Sequence, residues 1–341
     1  MDSWILLFQT TFEWLPEPTI LLYIDSYFNT KNFEKVRQVF RDAQISFREM
    51  LQKSDYLTKT TKERVIRKLD LMKFKIVAPD NYDNFTSVDT EMRDLDISGK
   101  SYMEQLSEIR CWKTRWDVEH TIEDPTRIGY RRVHESNAFY RRSINTLAIL
   151  VSYIDAPFFD SDAPDFLNYA TAGYVLSHEM GHGFDMKRYN YDEMNMKYDW
   201  KEEEKMEYAR RARCLVDQAD QIIWDGYNRT VNGTLKLTEN QADNMGMRVG
   251  YEAFKRRHTT EQHVRIIGLE QYTNHQLFFY YSAMFKCKAP MKDHDEKRDR
   301  IGKHSISKFR VNALGNLPAF AEVFKCARGT KMNPVEKCSM F

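Results

Sequence analysis

His178 and His182 stand four residues apart with Glu179 between them, in the pattern His-Glu-x-x-His. On an α-helix, residues four apart lie one above the other, so both imidazoles can send a nitrogen to one metal ion. Glu179 flanks that face, near enough to accept a proton from a metal-bound water without being a ligand. Tyr174-Val175-Leu176 precedes the pattern and predicts a buried helix, the rigid support such a site needs. With nine histidines in the chain, chance produces the pattern in about one or two such sequences per hundred, so a third ligand is required evidence. A catalytic zinc takes three protein ligands and leaves the fourth position to water. Glu239, in Thr238-Glu239-Asn240-Gln241-Ala242-Asp243, is the candidate. Asp243, one helical turn on, suits a hydrogen bond to the second nitrogen of a ligating histidine. Asp185, three residues past His182, is another acid that can serve this way. Alone, Glu-x-x-x-Asp is an ordinary solvated helix face. After His-Glu-x-x-His it makes a coherent site.

Two further stretches frame these: Asn137-Ala138-Phe139-Tyr140 before, and His304-Ser305-Ile306-Ser307-Lys308-Phe309-Arg310 after. Together the four resemble the neprilysin and endothelin-converting-enzyme family of zinc endopeptidases. The ending Met332-Asn333-Pro334 through Cys338 matches as well, and the likeness is collinear back to about Asp25. The resemblance implies a mainly α (α+β) fold, a thermolysin-like zinc-peptidase lobe with a small sheet, preceded by part of a helical capping lobe. It implies one Zn2+ held by His178, His182 and Glu239, with Glu179 as base, His304 stabilising the oxyanion and Asp243 completing the catalytic set. Asn137, Ala138 and Arg310 would hold the peptide backbone, the first two on an edge strand. Oligopeptide substrates follow, cut before apolar residues, in an extracellular or cell-surface (plasma membrane) setting. In the family, the positions matching Cys214 and Cys338 pair with each other. Those matching Cys287 and Cys326 pair with cysteines of the N-terminal region, a pattern of oxidising compartments. A peptide-binding member without activity is the rival reading.

The chain also departs from that family. Ile306 stands for a proline, Thr238 for a glycine, Gln241 for an apolar residue and Met245-Gly246 for a glycine pair. At the end, Ser339 occupies the place of an arginine that helps receive a substrate's C-terminal carboxylate. The expectation is weak discrimination between free and amidated peptide ends; a strong preference for the acid would instead make Lys337 the substitute cation.

The elements that must position these residues are mostly helical. Phe33, Val36, Phe40, Ala43, Phe47 and Met50 recur at helical spacing from Asn32 to Leu51. A second helix is predicted after Thr58, with Val65, Leu69, Met72 and Ile76 on one side, ending at Pro79. Residues 80–136 are polar and read as a connection. Ile144 to Ile154 reads as a strand. Lys201 to Ile223 predicts a long helix, and helical pattern resumes from Val264 to Phe285. The expected division is 1–130, a partial capping lobe, and 131–341, the catalytic domain. The 51 basic and 50 acidic residues nearly cancel, which argues against a nucleic-acid partner or a polybasic membrane patch. Trp4-Ile5-Leu6-Leu7-Phe8 is too short for a signal peptide or a membrane span, and the expectation is an N-terminally truncated member. Sequons begin at Asn84, Asn228 and Asn232.

Overall fold

The computed structural model describes residues 3–79, 85–124, 128–129, 135–224, 229–258, 265–287 and 301–341. It is mainly helical with a small sheet, and its contacts divide the chain into two units. The first comprises residues 1–34, 75–138 and 148–160, the second 35–74, 139–147 and 161–341. Where the sequence reading divides the chain near residue 130, residues 35–74 pack with the zinc-motif region. The reason is the apolar stripe of α3 (Lys31–Gln52), which needs a partner surface. Phe47 packs on Phe184 at 5.2 Å, Phe40 stacks on Phe74 at 4.5 Å, and Lys35 pairs with Asp165 at 2.5 Å.

In the first unit, α1 (Ser3–Trp14) and α2 (Pro16–Tyr27) are followed by α6 (Tyr102–Glu123). The reading of 80–136 as a connection is corrected here: α6 is 22 residues long and the short α5 (Thr86–Glu91) precedes it. Its start is a capping box, Ser101 N–H donating to Glu104 Oε2 at 2.8 Å. Only Lys113 and Trp116 of α6 are buried, so no apolar periodicity announced it. Arg110 lies over the Trp14 ring at 4.8 Å.

The sheet has the order β1-β3-β2, from β1 (Lys73–Val77), β2 (Ala138–Arg141) and β3 (Thr146–Leu150). The helix predicted through Ile76 stops at Asp70, the end of α4 (Lys59–Asp70). Met72, Phe74 and Ile76 also alternate, and pairing at Lys73 N–H to Asn145 O (2.9 Å) selects that period. The strand predicted over Ile144–Ile154 is shorter and central. All five β3 residues are buried, which explains its unbroken apolar run, and β2 takes the edge.

The second unit is built on two packed, largely buried helical segments. The short α7 (Asp165–Asn168) runs through a π-helical stretch, Tyr169–Gly173, into α8 (Tyr174–Gly181). Helix α10 (Gly233–His258) packs along α8. At the crossing, a Cβ on Gly246 would sit 2.8 Å from His178 Cα, so only glycine permits this approach. Met245, the other half of the altered pair, is buried with its Cε against Gly181. Around them lie α9 (Glu202–Asp220), α11 (Asn274–Met284), α12 (Ser307–Asn312) and α13 (Pro318–Val323). The helical pattern predicted from Val264 begins only at Asn274. Val264 lies outside the described residues, as do Asn84 and Asn228, the acceptors of two sequons. Asn232 is exposed and its Oδ1 accepts from Leu235 N–H at 2.9 Å, starting α10.

Candidate metal centre

Helix α8 carries His178 and, at its C-cap, His182, with ring centroids 4.8 Å apart and planes at 89°. Both Nε2 atoms lie 3.3 Å from Glu239 Oε2, which α10 delivers from the other side. His304 Nε2 approaches the same oxygen to 3.1 Å. Glu239 Oε2 is buried yet accepts no hydrogen bond within the geometry of one. A buried carboxylate oxygen left so costs free energy unless a cation completes its surroundings. Imidazole nitrogens and carboxylate oxygen are the ligand types zinc takes. The residues therefore fit zinc.

Acids stand behind both imidazoles. His178 Nδ1 lies 2.9 Å from Asp243 Oδ1, and His182 Nδ1 lies 3.1 Å from Asp185 Oδ2. Such contacts fix the tautomer that turns Nε2 toward a metal. Asp243 is itself held by Arg310, whose Nε and Nη2 donate to its two oxygens at 2.7 Å each. Arg310 Nη2 also donates to the Tyr174 hydroxyl at 2.8 Å, and that hydroxyl donates to Asp243. Burial works against Asp243's charge, but Arg310 and His178 outweigh it and hold its pKa far below the usual range. Burial likewise opposes protonation of His182, yet the negative charges of Asp185, Glu239 and Glu179 around it raise its pKa to about 10.

Glu179 is buried beside the two histidines, its Oε1 3.9 Å from His178 Nε2. Desolvation raises its pKa, and the neighbouring histidines oppose the shift. The Tyr140 N–H on β2 donates to its Oε2 at 2.9 Å and fixes the carboxylate. His304 is half exposed on a loop tied to α10: Ser305 Oγ donates to Asn240 Oδ1 at 2.6 Å, and Lys236 Nζ donates to Gly302 O. Gln241, fully buried, accepts from Met186 N–H at 2.9 Å and donates to the Tyr208 hydroxyl at 3.1 Å.

Asn137 and Ala138 belong to the first unit, where Asn137 O accepts from Leu150 N–H and Asn137 Oδ1 from Ala138 N–H. Cys214 and Cys338 form a disulfide with Cα atoms 5.6 Å apart. Cys111 and Cys287 are exposed thiols and Cys326 is partly buried. Ser339 does not stand as an open substitute for an arginine. Its hydroxyl donates to Phe341 O at 2.7 Å and accepts from Arg248 Nη1 at 2.9 Å. Arg248 of α10 thus brings the cation there, while Lys337 Nζ donates to Gly315 O. Sequence reasoning missed Arg248, Tyr174 and the Tyr140 amide. Tyr174 alone carried a signal, standing four residues before His178 on the same helical face.

Among known proteins, a family model described as peptidase family M13 matches residues 137–340, and its N-terminal counterpart matches 3–79. The chain is 30% identical over 324 residues to neprilysin-1 of Caenorhabditis elegans, covering 93% of this chain and 43% of that protein. It is 27% identical over 326 residues to an endothelin-converting enzyme homolog of Locusta migratoria, covering 94% and 44%. The chain thus spans less than half the length of these curated relatives. Among solved structures, a Haemonchus galactose-containing glycoprotein complex superposes with a TM-score of 0.86 at 24% identity, covering 100% of this chain and 55% of that one. Mycobacterium tuberculosis zinc metalloprotease ZMP1 in complex with inhibitor gives 0.82 at 21%, covering 99% and 51%.

Proposed function

The chain belongs to peptidase family M13, and from that membership we propose that it is a zinc metalloendopeptidase acting on oligopeptides. The observation that carries this reading is the buried Glu239 oxygen facing three imidazole nitrogens with no hydrogen bond of its own. His178, His182 and Glu239 hold the ion, with Asp243 and Asp185 orienting the imidazoles. Bound zinc supplies a Lewis acid that polarises the scissile carbonyl and brings the pKa of its water toward ~7.

Glu179 takes the proton of the attacking water and passes it to the leaving amine. Its raised pKa suits both halves of that task, and the Tyr140 amide keeps it aimed. His304 stabilises negative charge developing on the substrate oxygen, an effect worth ~3 to 4 kcal/mol in such sites. Arg310, steadied by Asp243 and Tyr174, holds a substrate carbonyl. Backbone binding by Asn137 and Ala138, and cleavage before apolar residues, rest on the family resemblance alone. An extracellular or cell-surface location is the accompanying proposal, supported by the Cys214–Cys338 disulfide. No described helix is long and apolar enough to cross a membrane.

The test is Glu179→Gln. It is expected to retain zinc, because the ligands are untouched, and to abolish chelator-sensitive cleavage of a mixed peptide library. Zinc lost in step with activity would make Glu179 structural. Absence of chelator-sensitive cleavage by the zinc-loaded wild type would favour the rival, a peptide-binding member without activity.

A further inference from the structure

Lys286 follows the end of α11 and is buried, with 7% of its surface exposed. Its ammonium lies 3.7 Å from the centroid of the Tyr174 ring, over the face, and has no hydrogen-bond partner. A buried ammonium without a hydrogen-bond partner costs more than its cation–π contact returns. The ring and charged groups facing it come from three helices. Tyr174 of α8 offers only its ring face, Asp243 of α10 is already shared by Arg310 and His178, and Arg310 of α12 repels it. Among the described residues, this side of α8 therefore holds one cation more than it has anions to meet.

The place of that surplus charge matters. Tyr174 stands one turn before His178 on the same face of α8, with ring centroids 6.0 Å apart. The ammonium is thus within about 10 Å of the His178 ring, or about three residues of extended peptide at ~3.3 Å each.

We propose that Lys286 is a specificity-determining residue that receives a carboxylate side chain of the substrate, Asp or Glu, within about three residues of the scissile bond. The proposal rests on the zinc-peptidase reading and adds an acidic position to the apolar preference that reading carries. A guest carboxylate supplies the hydrogen-bond partner that Lys286 lacks. Burial lowers the Lys286 pKa to about 7, so the charged form that binds a carboxylate is held below that pH and lost above it.

The experiment uses matched peptides carrying Glu or Gln at each of the three positions on either side of a common cleavage site. For the zinc-loaded wild type, kcat/KM is expected to favour Glu over Gln at one position by about tenfold to a hundredfold below pH 7. Lys286→Met should bring that ratio to about one while leaving the Gln peptides cleaved as before. Lys286→Arg should restore it in part. Binding of the same pairs to the zinc-loaded Glu179→Gln protein provides a readout without turnover. An unchanged Glu/Gln ratio in Lys286→Met, in cleavage or in binding, overturns the proposal, as does a wild type without acid preference. If no peptide is cleaved by the wild type, the peptidase reading falls, and the binding pairs still decide the role of Lys286.

Discussion

Asp243 does more than its position one turn after Glu239 suggests. It meets His178 on one side and takes a bidentate contact from Arg310 on the other, with the Tyr174 hydroxyl between them. Removing its charge should be felt in two measurements. Asp243→Asn is expected to weaken zinc about 10- to 100-fold, read by competition with a chromogenic chelator. It should also cost about 1 to 3 kcal/mol of stability in urea unfolding, because the partly buried Arg310 loses its charged partner. A loss of zinc affinity with full stability would mean that Arg310 finds another anion. Asp185 stands in the corresponding place behind His182, but it shares itself with Arg188 Nη1 (3.1 Å) and the Lys187 amide (2.9 Å). Its loss is therefore spread over a loop rather than focused on one imidazole.

Between elements, the decisive contact is α8 against α10. Both helices are buried around most of their circumference, and small residues set how near their axes come. Gly246→Ala places a methyl 2.8 Å from the backbone N and Cα of His178, where nothing flexible can yield. The helices must part, at a cost of about 1 to 3 kcal/mol, and Glu239 on α10 must retreat from the histidines. The expected result is a lower melting temperature together with reduced zinc occupancy in dialysed protein. A Gly246→Ala variant with full zinc and unchanged melting would show that the crossing relaxes without moving the ligands. The altered glycine pair is explained by the same contact: Met245 fills space beside Gly181, while the position facing His178 stays glycine.

At the scale of the molecule, the second unit closes on its own last residues. The Cys214–Cys338 bridge joins positions 124 residues apart. Asn244 Nδ2 donates to Cys338 O at 3.1 Å, Tyr56 OH to Met340 O at 3.0 Å, and Arg248 to Ser339 and Phe341. Met340 and Phe341 are buried as core residues. Replacing both cysteines by alanine should lower stability by about 2 to 5 kcal/mol in denaturant unfolding. Non-reducing peptide mapping of secreted protein should yield the linked pair, and free alkylation of both thiols there would refute it. These contacts also give Ser339→Arg a different meaning from the one its position suggested. A second guanidinium would face Arg248, and the expected outcome is lost stability before any change in peptide-end preference.

The candidate metal ligands and base were legible in the sequence because helical periodicity places residues four apart on one face whatever else the chain does. His178, His182 and Glu179 needed nothing more, and the amphipathic spacing from Phe33 to Met50 announced α3 for the same reason. Other features depend on partners remote in sequence. Met72, Phe74 and Ile76 fit two periods, and pairing beside Asn145 chose the strand. Helix α6 buries too little apolar surface to show a period, so only its capping box marked it. That Glu239 would meet both histidines, that Tyr140 would aim Glu179, and that Lys286 would find no anion among the described residues were decided by the packing of β2, α8, α10 and α11. Spacing along one chain specifies which side chains share a face, but which faces meet, and which charges are left unmatched when they do, is settled only when the helices pack.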